Sequence, residues 1–196
     1  MNIFNCVVAT LSVAVFFTNL PNYLHIHRWG IVPYQWVIGF GILALPLFVR
    51  QVCKSNVLGR TVIGWSLLYV IVSLLWFIPS TQDDIAWQEV RSRALTAIEL
   101  MAFFILFAAP EMNRIVRLAL VACVLMGVAL NVYEVFVPLS FSEIIGRSAG
   151  LYINPTTSSL ALVGGMIITV TILSHWFRSI YVLIVGLGVL STFSRG

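Results

Sequence analysis

Arg147, Asn154 and Arg195 have the types and spacing to hold an anion. A guanidinium presents a planar fork of N–H donors that matches phosphate oxygens. Asn154-Pro155 reads as a helix start: asparagine caps exposed backbone N–H groups, and proline fits the first helical position, where its missing N–H costs nothing. Thr156, Thr157 and Ser158 add hydroxyls to the first turn, and Gly150 shortly before it permits a close approach. Open N–H groups and the positive end of the peptide dipole at a helix start favour phosphate. The competing reading is an ordinary capped helix with arginines as interfacial anchors.

Two carboxylates fall inside apolar runs. Glu99 lies about five residues into its run, some 7–8 Å below the boundary at ~1.5 Å per residue, and Glu134 lies near the end of the next run. Cys123, Gly127, Asn131 and Glu134 follow at spacings of four, four and three, so they share one small or polar helix face. Acids within a membrane usually face the bundle interior or a wet cavity. Glu99, Asn131 and Glu134 are therefore candidates for a polar cavity, with each acid a general base or an anchor for the arginines. The competing reading is a structural ion pair or a helix-packing hydrogen bond. His25-x-His27 has a metal-binding spacing, but its aromatic flanks fit an interfacial loop better. Cys6, Cys53 and Cys123 form no CxxC and have no histidine cluster nearby, so neither a disulfide nor a metal is expected. No hydrolase triad, phosphate loop or dinucleotide fingerprint occurs.

The elements that must position these residues are membrane helices. The 196 residues are 60% hydrophobic and 9% charged, with mean hydropathy +1.01. Apolar runs approach the ~20 residues needed to cross a bilayer. The expected fold is all-α: a polytopic bundle of about seven spans near 3–20, 31–49, 61–78, 94–109, 115–137, 157–173 and 180–192, forming a single transmembrane domain. The first span lacks a basic leader and a small-residue cleavage site, so it is read as retained. Turn-rich loops are expected at 21–30 and 50–60, and a short turn at 174–179. Residues 79–93 carry Asp83, Asp84, Glu89, Arg91 and Arg93 and read equally as an interfacial helix or a solvated loop. Gly164-Gly165 and Gly186-x-Gly188 read as close packing between the last two helices.

The net charge of +4 arises from arginines scattered through loops, which fits membrane orientation better than nucleic acid. With the N-terminus cytoplasmic, Arg50, Lys54, Arg60, Arg114, Arg117 and Arg178 lie inside. Arg28, Arg91, Arg93, Arg147 and Arg195 lie outside. The final two spans form a hairpin that brings Arg147, Asn154 and Arg195 to one face.

Arg147-Ser-Ala-Gly150, then Leu-Tyr-Ile-Asn154-Pro155, then Thr192-Phe-Ser-Arg195-Gly196 resembles the central part of the O-antigen ligase and O-antigen polymerase family. The match covers about the last quarter of the chain. Thr156 stands where the family often has a second asparagine, and Phe193 where a small residue is common. The resemblance implies a bacterial inner-membrane glycosyltransferase acting at the periplasmic face. Its donor would be a glycan on undecaprenyl diphosphate, and its acceptor another glycan or lipid A–core. Arg147, Arg195 and Asn154 would hold the diphosphate leaving group without metal or cofactor. Fixed cations there stabilise the charge that develops as the sugar leaves.

Family members carry further helices and a large periplasmic loop with a functional histidine. Neither has a counterpart here, and His175 falls in the expected cytoplasmic turn. These residues therefore read as the amino-terminal part of a longer protein, inactive alone, with no catalytic residue assigned among them. The alternatives are a small-solute transporter or flippase fragment, with Glu99 and Glu134 lining a path, and a non-enzymatic accessory membrane subunit.

Overall fold

The computed structural model describes residues 3–27, 30, 32–53, 57–79, 83–108, 110–142 and 146–193. Every regular element among them is helical: α1 (Ile3–Phe17), α2 (Leu20–Ile26), α3 (Pro33–Cys53), α4 (Val57–Phe77), α5 (Asp84–Ala108), α6 (Pro110–Phe136), α7 (Pro155–Thr169) and α8 (His175–Phe193). Short 3-10 turns at Gly150–Tyr152 and Val170–Ile172 flank α7. Among the described residues, four stretches are long and apolar enough to cross a membrane: Arg60–Phe77, Asn113–Phe136, Pro155–Ile172 and His175–Phe193. α1 and α2 make a fifth if their pair, bent by 51°, is one broken span.

Several helices run past the apolar limits expected of them. Of the loop expected at 21–30, residues 21–26 are helical. The first helix stops at Phe17, Asn19 takes a left-handed φ of 57°, and α2 restarts with Pro21 in its first turn. Thr18 Oγ1 donates to the Ala14 carbonyl at 2.6 Å, satisfying part of the broken end. The polar segment before the fourth apolar run is the start of α5, a continuous helix of 25 residues. Asp83 Oδ1 accepts from Ala86 N at 2.8 Å and caps that start. The turn expected at 174–179 is the first turn of α8, and the loop expected at 50–60 is largely occupied by the ends of α3 and α4.

The chain divides into two compact units, Met1–Ala9 with Tyr34–Asn113, and Thr10–Pro33 with Arg114–Gly196. In the first, α4 packs along α5. The Phe77 and Trp87 rings lie 4.4 Å apart, joining the end of α4 to the start of α5. The Arg91 guanidinium lies 3.7 Å from the Tyr34 ring centroid, a favourable cation–π placement. Ser66 and Ser73 are buried while Trp65, Leu75 and Trp76 are exposed.

The second unit is built round α6, α7 and α8. Val124, Val128, Leu162, Tyr181 and Val185 form its core. A Cβ on Gly188 would lie 2.7 Å from Val128 Cγ2, and one on Gly165 would lie 2.6 Å from Phe17 Cζ. These two glycines therefore admit α6 and α1. Gly164 and Gly186 face open space, so the expected glycine contact between the last two helices is not what forms. Polarity runs inside out: Asn131, Glu134, Ser158, Thr169 and Thr192 are buried, while Leu160, Leu183, Leu187 and Leu190 are exposed. In water this arrangement would cost burial of polar groups and exposure of apolar ones. In lipid it is the economical one.

Candidate functional site

The site lies where α6 and α8 end and α7 begins. Its framework starts with Glu134, only 3% exposed. One carboxylate oxygen accepts from the backbone N–H groups of Phe141, at 3.0 Å, and Ser142. The other accepts from Ala149 at 2.7 Å and Gly150 at 3.1 Å. The acid thus ties both limbs of the α6–α7 connection to the last turn of α6. It bonds no arginine among the described residues, and all four of its partners there are backbone N–H groups.

One turn earlier, Asn131 is fully buried. Its Nδ2 donates to Ser158 Oγ of α7 at 3.0 Å and toward the Gly188 carbonyl of α8 at 3.4 Å. Cys123, Asn131 and Glu134 are all buried, and a Cβ on Gly127 would meet Leu162 at 3.0 Å. The expected shared face is thus turned inward, with Gly127 and Asn131 against α7 and Glu134 against the α6–α7 connection. Gly150 has φ +53°, and a Cβ there would lie 2.8 Å from Asn131 Oδ1. The close approach anticipated for Gly150 is thus to Asn131. Glu99 belongs to α5 of the other unit, and its side chain lies outside the described residues.

The connection so pinned delivers Arg147 to the end of α8. Its Nε donates to the Thr192 carbonyl at 2.9 Å, and its Cζ lies 5.9 Å from the Phe193 ring centroid. Ser148 N donates to the Ser191 carbonyl at 3.3 Å. A helix C-terminus leaves carbonyls without intrahelical partners and carries partial negative charge, so a guanidinium there is favourable. Among the described residues, the two terminal amino groups of Arg147 make no hydrogen bond. Arg195 lies outside the described residues.

Asn154 is the N-cap of α7, as expected. Its backbone is extended (φ −98°, ψ 119°), and Oδ1 accepts from Thr156 N at 2.9 Å. Pro155 is buried at the first helical position, and the Asn154 side chain is exposed. Because α7 begins where α8 ends, Arg147 and Asn154 share one end of the unit.

Two partners of this end were not anticipated. Tyr152 donates its hydroxyl to the Phe17 carbonyl at the break between α1 and α2, and its ring meets Phe17 edge to face at 6.5 Å. Asn19 Nδ2 donates to the Leu151 carbonyl at 3.3 Å. Burial pushes the Tyr152 phenol above its ordinary range, keeping it protonated as a donor. The Asn19-Leu-Pro21 sequence was the available signal, since proline disfavours continuation of the preceding helix. His27, once weighed as a ligand, contacts the Tyr23 carbonyl through Nδ1 at 2.9 Å. No group of three metal-ligating side chains occurs among the described residues.

Chemically, this end offers a half-buried guanidinium, whose terminal amino groups bond nothing among the described residues, beside a capped helix start. Its two acids of interest divide cleanly: Glu134 is consumed by backbone, and Glu99 lies on another unit. Comparisons with family models, curated proteins and solved structures give no match.

Proposed function

We propose that this chain is part of a bacterial inner-membrane glycosyltransferase of the O-antigen ligase or polymerase type, with Arg147 holding the diphosphate of a lipid-linked glycan. The observation that carries the reading is the clamp of Arg147 Nε on the Thr192 carbonyl at 2.9 Å, with its two terminal amino groups making no hydrogen bond among the described residues. The clamp joins Arg147 to Thr192, one residue from each half of the resemblance. Arg195 and Asn154 would complete the anion site. Seven spans with a cytoplasmic N-terminus belong to the same proposal, α3 and α5 adding two to the five described above. That orientation puts the Arg147 end at the periplasmic face. The donor would be an undecaprenyl-diphosphate-linked glycan, and the acceptor a second glycan or lipid A–core. Held cations would stabilise the diphosphate as the glycosidic bond breaks.

A second reading has its own support. Arg117 and Arg178 also bind helix C-terminal carbonyls, so Arg147 fits equally as a cap in a non-catalytic membrane subunit. The transporter alternative rests on Glu99 and Glu134, and of these Glu134 accepts four backbone N–H groups. The experiment is Arg147→Ala and Arg147→Lys at the native locus, with surface glycan displayed on a gel and protein quantified by blot. The enzyme reading expects both to abolish surface glycan at normal protein levels, since lysine cannot reproduce the fork. A cap alone predicts lowered protein level for alanine and rescue by lysine.

A further inference from the structure

The opposite end of the second unit holds two arginines that the proposed reaction does not use. α7 gives way to a 3-10 turn at Val170–Ile172, leaving a cluster of carbonyls. Arg117 of α6 reaches it with Nε to the Ile168 carbonyl at 3.0 Å and with Nη2 to that carbonyl and Thr171 Oγ1. Arg178 of α8 reaches it from the other side, with Nε to the Leu173 carbonyl at 2.8 Å and Nη2 to the Thr171 carbonyl at 3.0 Å. Two guanidiniums thus converge on one residue, Thr171, each fixed through Nε and Nη2. Among the described residues, Nη1 of each makes no hydrogen bond. The one ion pair among the described residues is Arg93–Glu89, so neither arginine has a carboxylate there.

Convergent like charges call for a counter-ion, and the surroundings indicate its source. Trp176 and Phe177, which precede Arg178, are 84% and 65% exposed. Exposed aromatics at the end of an apolar helix mark the headgroup level of a bilayer, and basic clusters between helices at that level attract anionic headgroups.

We propose that Arg117 and Arg178 form a binding site for the phosphodiester of an anionic phospholipid, on the leaflet opposite the Arg147 end. The two Nη1 groups donate to phosphate oxygens, while Nε and Nη2 remain on the 168–173 turn. This site owes nothing to the glycan-transfer reading and stands if that reading falls.

The test is native mass spectrometry of the whole chain, released from detergent and titrated with phosphatidylglycerol, phosphatidylcholine or soluble glycerol phosphate. Two surface cations predict roughly a thirtyfold preference for phosphatidylglycerol over phosphatidylcholine. Arg117→Gln with Arg178→Gln abolishes it, and Arg93→Gln leaves it intact. Arg178→Gln alone, at an exposed position, reduces the preference to about fivefold and serves if the double variant does not fold. Equal retention of the two lipids by the wild-type chain overturns the proposal, as does an undiminished preference in Arg178→Gln. Competition by glycerol phosphate at concentrations like those of the lipid would identify a soluble phosphate ester as the ligand and overturn the lipid assignment.

Discussion

Replacing Glu134 by glutamine removes one of the two oxygens that hold the α6–α7 connection. The carboxylate accepts four backbone N–H groups, two on each oxygen. A glutamine keeps one oxygen and turns an amide donor toward the other pair. The oxygen should stay with Ala149 and Gly150, both buried, and abandon Phe141 and Ser142, of which Phe141 is only half-buried. An unsatisfied buried N–H costs about 1–3 kcal/mol, and a rewetted one much less. The closed arrangement should therefore lose about 2 kcal/mol, or roughly thirtyfold in the open-to-closed ratio. Ser142, on the limb that is released, is 4% exposed when the connection is closed. With Cys6, Cys53 and Cys123 replaced, a Ser142→Cys probe labelled by a membrane-impermeant maleimide reports the open population. Labelling about thirtyfold faster in Glu134→Gln is expected. Unchanged labelling would show that the carboxylate does not hold the connection, and the account of how Arg147 is positioned would fail.

Other consequences follow from the same geometry. Gly188→Val would drive a side chain into Val128, whose Cγ2 lies 2.7 Å from the Cβ position, and overpacking of this kind costs about 1–3 kcal/mol. A lowered melting midpoint in detergent is expected, and none for Gly186→Val, which faces open space. Asn154→Ala removes the cap on Thr156 N and should cost about 1 kcal/mol, read as a small drop in the same midpoint. The Tyr152 phenol is raised by burial, so its folded value lies above the unfolded value of about 10. Its stabilising contribution is therefore complete below about pH 10 and is lost as pH climbs through the folded value. Tyr152→Phe should flatten that alkaline loss, and an unchanged alkaline profile in the variant would assign the loss to other groups.

What was legible in the sequence depended on who the partner is. Asn154-Pro155 declared a helix start because cap and proline act on their own neighbours. The face of Cys123, Gly127, Asn131 and Glu134 followed from helix spacing alone. Helix ends were less legible, because apolar runs report the hydrocarbon core and helices continue beyond it on polar residues. Asp83 before α5 and the Asn19-Leu-Pro21 break carried local signals, yet Asn19's bond to Leu151 depends on a fold brought together from distant segments. Glu134's partners are backbone N–H groups, which nearly every residue type supplies, so nothing in residue identity could have named them. The same holds for Arg147, whose acceptor is the carbonyl of Thr192.

The most direct test of the central claim is the pool of undecaprenyl-diphosphate-linked glycan in cells carrying Arg147→Lys at the native locus. The account predicts that this pool rises and surface glycan disappears, while the protein remains in the membrane at its normal level. A normal lipid-linked pool with normal surface glycan would contradict it, leaving Arg147 as the cap of α8 and nothing more.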